Sequence, residues 1–121
     1  MPPETVTEWK LPESLAELAR EGDEELVADI LTSFQTDGEA RLRRLESAVA
    51  MADRALIRLQ AHTLKGGALQ VGADVVASLC KDLEIACATE SIGEMTSRLM
   101  RIEWGFATVC RAMEHRIVAP Q

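Results

Sequence analysis

The chain has 121 residues, of which 47% are hydrophobic and 27% are charged, and its formal net charge is −7. This composition is typical of a soluble globular domain and argues against a disordered chain. The acidic balance argues against a protein that binds nucleic acid through clustered Lys and Arg, and no apolar run approaches the roughly 20 residues of a membrane span. We therefore expect binding to neither nucleic acid nor a membrane, and we expect a monomer, although composition does not determine the oligomeric state.

Apolar residues recur at helical spacings from residue 12 onward, and no segment alternates for long with the period of a strand. A short first helix is predicted over residues 12–22, with Gly22 as its stop. A long second helix follows from residue 23 to about residue 50, with Asp23 as its N-cap. Gly38 lies within the apolar stripe of this second helix and indicates either a weak point or close packing.

The remaining pattern predicts three further helices. The third begins after Asp53 as its N-cap and ends at Gly72, and Asp74 helps to start the fourth. Ser91 and Glu94 match the Ser-x-x-Glu capping box that opens the fifth helix. The core residues predicted for these three helices are Ile57, Ala61, Leu64, Ala68 and Val71; Val76, Leu79, Cys80, Leu83 and Cys87; and Met95, Leu99, Ile102, Phe106, Val109 and Met113.

Four amphipathic helices with short connections predict an all-α fold. The expected architecture is an antiparallel up-down-up-down four-helix bundle, with the short extra N-terminal helix lying over one end. We expect one domain over residues 1–121. Its parts are an N-terminal arm (1–11), the short helix (12–22), the four-helix bundle (23–115) and a tail (116–121).

Cysteine usage indicates reduced, packed thiols. Cys80, Cys87 and Cys110 are odd in number and have no C-x-x-C spacing, so neither a disulfide framework nor a zinc site is expected. His115 lies far along the last helix, has no ligand partner at a suitable spacing, and is expected on the surface. We therefore expect a cytoplasmic protein without a bound metal.

The segment AHTLKGGA, residues 61–68, contains the candidate reactive residues of the chain. At about 100° per residue, His62 lies roughly 140° from the centre of the apolar stripe of its helix, so it is not a core residue. Lys65 lies one turn further along the same side, and Gly66 and Gly67 remove bulk next to the imidazole. An exposed imidazole with a nearby cation and a cleared surface suits transient phosphorylation of a ring nitrogen.

Two further sets of residues complete the predicted site. Glu84, on the antiparallel neighbouring helix, lies at a similar height to His62 and is predicted to accept the proton of the other ring nitrogen. Leu59 and Leu69 lie near His62 on the exposed side of its helix, where an apolar side chain is costly in solvent. Together with Gly66 and Gly67 they predict a docking patch for a second macromolecule.

The stretch AHTLKGGALQVGA followed by LCKDLE resembles the histidine phosphotransfer (HPt) domain. The pattern of that family is His-x-x-Lys-Gly-small-small, a glycine ten residues after the histidine, and then a Leu-x-x-Leu-Glu-like helix. The residues that match are His62, Lys65, Gly66, Gly67, Ala68, Gly72 and Glu84. Gly67 is a mild departure, because serine or alanine is more usual there. The resemblance extends over residues 23–115.

The resemblance implies a phosphorelay intermediate without kinase activity of its own. Such a protein accepts a phosphoryl group from the aspartate of a receiver domain, in a response regulator or a hybrid sensor kinase, and passes it to another receiver. By this resemblance His62 is the phosphoacceptor, Lys65 is the cation on the phosphate side and Glu84 orients the ring. No cofactor is expected, because the receiver supplies the acidic pocket and Mg²⁺.

Two other interpretations remain. The chain could be a scaffolding helical bundle in which His62 has no chemical role and the glycines allow close packing. It could also be the dimerisation hairpin of a sensor kinase, but that hairpin normally carries an acidic residue directly after its histidine, where this chain has Thr63.

Overall fold

A computed structural model describes residues 9–117, and α-helices are the regular secondary structure of these residues. The first residues of the predicted arm and the last residues of the predicted tail lie outside this range. The helices are α1 (Glu13–Arg20), α2 (Glu24–Ala50), α3 (Arg54–Gln70), α4 (Asp74–Ala86) and α5 (Ile92–Ile117). The predicted all-α class is confirmed. No helix of the described residues is long and apolar enough to cross a membrane.

Helices α2 to α5 form the predicted antiparallel four-helix bundle. Each helix packs against its neighbours in chain order, and α5 closes the ring by packing against α2, so α3 and α5 occupy opposite corners. The connections are short, which makes successive helices antiparallel neighbours. Helix α1 packs against the α2 side and buries Leu15 in the shared core.

The predicted apolar stripes form the core of the bundle. Every residue listed for the third and fifth helices is buried, and of those listed for the fourth only Leu79 is partly exposed. One continuous cluster of buried residues therefore joins the four helices. The faces of α3 and α4 that point away from this core are exposed to solvent.

Most of the predicted helix ends are confirmed. The Asp53 side chain accepts a hydrogen bond from the Leu56 backbone N–H at 3.1 Å. Ser91 and Glu94 cap each other: the Ser91 N–H donates to Glu94 Oε1 at 2.9 Å and the Glu94 N–H donates to Ser91 Oγ at 3.1 Å. Gly72 ends α3 with a φ of 74°, a conformation that residues with a Cβ rarely adopt.

Asp23 occupies the N-cap position of α2, as predicted, but its side chain does not bond to the first turn. Its carboxylate makes no capping hydrogen bond, and its φ of −99° and ψ of 46° lie outside the extended region from which an N-cap side chain reaches the first turn. The end of α1 fixes this conformation, because the Asp23 N–H donates to the Leu18 carbonyl at 2.9 Å and Gly22 adopts a φ of 97°. The tight α1–α2 turn therefore overrides the local capping preference.

Gly38 is a point of close packing. A Cβ built at this position would lie 2.6 Å from Cζ of Phe106 on α5, well inside van der Waals contact. Phe106 in turn packs against Phe34, with ring centroids 5.4 Å apart and planes inclined at 49°. The absence of a side chain at Gly38 therefore lets the aromatic pair fill the space between α2 and α5.

The residues before α1 fasten the turn between α3 and α4. The Trp9 indole Nε1–H donates to the Val71 carbonyl at 2.8 Å. A Cβ built on Gly72 would lie 3.2 Å from the Lys10 carbonyl oxygen, so the chain passes closely over this turn. This turn determines the register of α3 against α4, and with it the height at which His62 and Glu84 meet.

Candidate functional site

His62 lies on the solvent side of α3, and its side chain is 62% exposed. Its Nδ1 lies 2.9 Å from Glu84 Oε2. A carboxylate can only accept a hydrogen bond, so Nδ1 carries the proton and donates it, which assigns the tautomer of the neutral ring. The lone pair is then on Nε2, the ring nitrogen that is open to a second molecule.

Glu84 has a partner on each of two sides. Besides the bond to His62, its Oε1 lies 3.0 Å from Nζ of Lys65, and only 16% of its side chain is exposed. Burial by itself raises the pKa of the Glu84 carboxyl, but the positive charge of Lys65 and the hydrogen bond from His62 outweigh it, and the pKa lies below its ordinary value. Glu84 is therefore ionised at neutral pH and stays an acceptor.

Lys65 forms the third member of this network. It lies one turn from His62 on α3, but its ammonium is paired with Glu84 and its side chain is only 23% exposed. Sequence reasoning placed Lys65 next to the ring as a cation for phosphate and did not predict its ion pair with the carboxylate. The ion pair could have been predicted, because Lys65 and His62 lie on the same side of their helix and Glu84 lies opposite both on the neighbouring helix.

The two glycines after Lys65 have different surroundings. A Cβ built on Gly66 would meet no atom within 4 Å, so the surface beside His62 is open there. A Cβ built on Gly67 would lie 3.7 Å from Cδ1 of Phe34 on α2, an ordinary packing contact. Gly67 thus points toward α2 and away from the His62 side, and we leave it out of the docking patch.

Three apolar side chains are exposed around this site, each by more than half of its area. Leu59 and Leu69 lie on α3, on either side of His62 along the helix. Ile85 directly follows Glu84 on α4, on the side of α4 away from the core, and was missed by sequence reasoning. The signal for Ile85 was its position opposite the Val76–Leu83 stripe, which leaves an apolar residue in solvent.

The thiols near the site are unreactive. Cys80 is buried, and burial raises the pKa of its thiol to about 12. The Cys87 thiol donates a hydrogen bond to the Glu84 carbonyl at 3.1 Å. The described residues contain no group of three or more His, Cys, Asp or Glu side chains with metal-binding geometry. The chemistry of the site therefore rests on the imidazole and its network.

Comparison with known proteins points to one family. The family model described as the Hpt domain matches residues 29–119. Among solved structures, the crystal structure of histidine-containing phosphotransfer protein B (HptB) from Pseudomonas aeruginosa PAO1 superposes with a TM-score of 0.79 and 27% identity, over 92% of this chain and 96% of that chain. No curated protein sequence matches. The family match, the helical bundle and the exposed histidine together show that the chain belongs to the Hpt family, the histidine phosphotransfer domains of two-component phosphorelays.

Proposed function

We propose that this protein is a phosphorelay intermediate that receives a phosphoryl group on His62 from the aspartate of one receiver domain and passes it to another. The observation that carries the proposal is the bond between His62 Nδ1 and Glu84 Oε2 on an otherwise exposed ring. In the neutral ring this bond keeps the proton on Nδ1 and leaves Nε2 unprotonated, nucleophilic and accessible.

The nucleophile in this proposal is Nε2. Its lone pair attacks the phosphorus of the receiver's aspartyl phosphate, an N–P bond forms, and the bond between phosphorus and the aspartate oxygen breaks. The carboxylate leaves on the receiver, and the proton on Nδ1 stays in place. The ring gains positive charge during the attack, and the ionised Glu84 at 2.9 Å from Nδ1 stabilises that charge. Return transfer to a second receiver reverses these steps.

Lys65 has two roles in this proposal. In the unphosphorylated protein its ion pair keeps Glu84 charged, which supports the acceptor state that orients the ring. After transfer, the four-carbon stem of Lys65 allows its ammonium to turn toward the phosphoryl oxygens, one helical turn from His62. Lys65 and Glu84 are thus positioning and charge-stabilising residues around His62.

The docking surface in this proposal consists of Leu59, Gly66, Leu69 and Ile85. A receiver must bring its aspartyl phosphate within bonding distance of Nε2, which requires a low surface next to the ring. Gly66 provides that low point, and the three exposed apolar side chains provide area that a partner can bury.

The remaining parts of the proposal concern the whole chain. Residues 1–121 form one phosphotransfer domain that acts as a cytoplasmic monomer, has no kinase activity and needs no cofactor of its own. Its partners are receiver domains of response regulators or hybrid sensor kinases, and it binds neither nucleic acid nor membranes.

The test is phosphoryl transfer from a panel of receiver domains charged with acetyl phosphate. We expect labelling that is labile in acid and stable in alkali, as for a phosphorus–nitrogen bond. His62→Gln should abolish labelling, whereas His115→Gln, the matched variant of the other histidine, should label like the wild type. Loss of labelling in His115→Gln, or its persistence in His62→Gln, would refute the assignment. If no receiver labels the wild type, the scaffolding interpretation is favoured.

A further inference from the structure

The outward face of α5 contrasts with the acidic charge of the whole chain, a property that it shares with α3, which has no Asp or Glu between Arg54 and Gln70. The chain has 20 acidic and 13 basic residues. From position 97 to position 111, however, no exposed residue of α5 is a carboxylate. These exposed residues are Ser97, Met100, Arg101, Trp104, Ala107 and Arg111, and we call them the α5 face. Trp104 is 50% exposed and Met100 is 63% exposed.

The basic groups of the α5 face are free to bind another molecule. Among residues 9–117, neither Arg101 nor Arg111 lies within ion-pair distance of a carboxylate. By contrast, Arg98 on the α4 side of the same helix binds Glu90 through two bonds of 2.7 Å. Arg98, beside the α5 face, is thus neutralised within the chain, whereas Arg101 and Arg111 on the face have no carboxylate partner among these residues.

The carboxylates near the α5 face lie along its two edges and just beyond its C-terminal end. Glu103 lies beside Glu46 of α2 on one side, and Glu90 and Glu94 lie on the side toward α4. The exposed Glu114 follows the last residue of the face by one helical turn. A flat anionic surface such as a bilayer would come within about 8 Å of these carboxylates, the Debye length at physiological salt, and Glu94 and Glu114, which form no ion pair among residues 9–117, would repel it. A single peptide segment is narrow enough to lie on the α5 face between these edges.

We propose that the α5 face binds an acidic segment of a partner protein, with carboxylates for Arg101 and Arg111 and an apolar side chain against Met100 and Trp104. Charge complementarity selects an acidic partner, and Trp, Met and Arg are the residue types enriched at the centres of protein interfaces. Arg101 and Arg111 are ten helical residues apart, or roughly 15 Å at 1.5 Å per residue. A segment of about eleven residues in a helix spans this distance.

This face lies across the bundle from the candidate site. Helix α5 is at the corner opposite α3, which carries His62. Helix α4, which carries Glu84, packs against both α3 and α5. We expect a receiver centred on α3 to leave the α5 face uncovered, so that the acidic segment and a receiver bind at the same time. The inference does not depend on the proposed phosphotransfer, and the test below needs no phosphoryl group.

The test uses the two indole N–H signals in a ¹⁵N NMR spectrum of the full chain. Trp9 is hydrogen-bonded to Val71 and serves as the internal reference, and Trp104 reports on the α5 face. The probe is a 16-residue amphipathic helical peptide with two Glu eleven residues apart and Leu between them on the same side. We expect the Trp104 signal to shift during titration and the Trp9 signal to stay in place.

Variants and control ligands make this test decisive. The double variant Arg101→Glu with Arg111→Glu should weaken peptide binding at least ten-fold, whereas Arg43→Glu with Arg44→Glu, a matched charge change on the exposed side of α2, should leave it within two-fold. The proposal is overturned if Trp104 does not respond, or if a peptide with Gln in place of Glu binds equally well. A Trp104 shift with phosphatidylglycerol vesicles but not with the peptide would assign the face to membranes instead and would also overturn it.

Discussion

Replacing Lys65 with Met tests the network behind the phosphoacceptor. The variant keeps most of the aliphatic stem and removes only the ammonium that lies 3.0 Å from Glu84 Oε1. Burial then acts on the Glu84 carboxyl without its main opposing charge, so the pKa of Glu84 should rise in the variant. A carboxyl that is more easily protonated orients the His62 ring less well.

The magnitude follows from the burial of the pair. A hydrogen bond to a charged group contributes about 1.5–3 kcal/mol when desolvated, and exposed ion pairs contribute about 0.2–1 kcal/mol. Lys65 is about a quarter exposed and Glu84 less, so we expect a loss of about 1 kcal/mol in the free energy of unfolding at pH 7. For a chain of this length that corresponds to a decrease of roughly 3–5 °C in Tm. Phosphoryl transfer should slow by about ten-fold, the equivalent of 1.4 kcal/mol.

The stability difference should depend on pH in a defined direction. The pKa of Glu84 in the folded protein lies below its ordinary value of 4.5. Stability from the ionised carboxylate is therefore fully present above about pH 4.5 and is lost as the pH falls through the lower folded value. Urea denaturation should show the Lys65→Met deficit at pH 7 and a much smaller one at pH 3.

The matched control is Lys81→Met, which removes an exposed lysine of α4 that forms no ion pair among the described residues. It should change stability by less than 0.5 kcal/mol, the usual range for a surface substitution. A Lys65→Met deficit that is the same at pH 3 and pH 7, or a Glu84 carboxyl that titrates as in the wild type by ¹³C NMR, would show that Lys65 does not hold Glu84 ionised.

Three further predictions concern glycines and a second carboxyl. Gly66→Gln should block receiver-dependent labelling without unfolding the bundle, whereas Gly67→Ala should label normally. Gly38→Ala should lower the free energy of unfolding by about 1–3 kcal/mol in urea, because its Cβ would overlap the Phe106 ring. Burial and a neighbouring carboxyl raise the pKa of Glu103 to about 7, so wild-type stability should fall as the pH rises from 4.5 through 7. Glu103→Gln should remove that fall.

Each of these predictions has a control and a contradicting result. Normal transfer by Gly66→Gln would move the docking surface elsewhere. Gly93→Ala is the control for Gly38→Ala, because a Cβ at Gly93 comes no closer than 3.9 Å to the nearest atom; equal losses in both variants would refute the packing argument. Parallel stability curves for Glu103→Gln and the wild type between pH 5 and pH 8 would show that Glu103 titrates normally.

Periodicity in the sequence was enough to predict which side of each helix is buried. Apolar residues at spacings of three and four predicted the stripes from Ile57 to Val71 and from Met95 to Met113, and all of these residues are in the core. The same periodicity excluded His62 from the core. The cap at Asp53 and the capping box of Ser91 and Glu94 could also be predicted from the sequence. Their bonds join residues three positions apart and depend on the local backbone alone.

Which side chains meet across helices depends on the packing of the whole bundle. The ion pair of Lys65 with Glu84, the contact of Gly38 with Phe106 and the separate surroundings of Gly66 and Gly67 all depend on how each helix is rotated and how closely it approaches its neighbour. Periodicity specifies a helix side to within tens of degrees, whereas a hydrogen bond requires atoms placed to a few tenths of an ångström. That precision comes from the packed core and from turns such as the one fastened by Trp9.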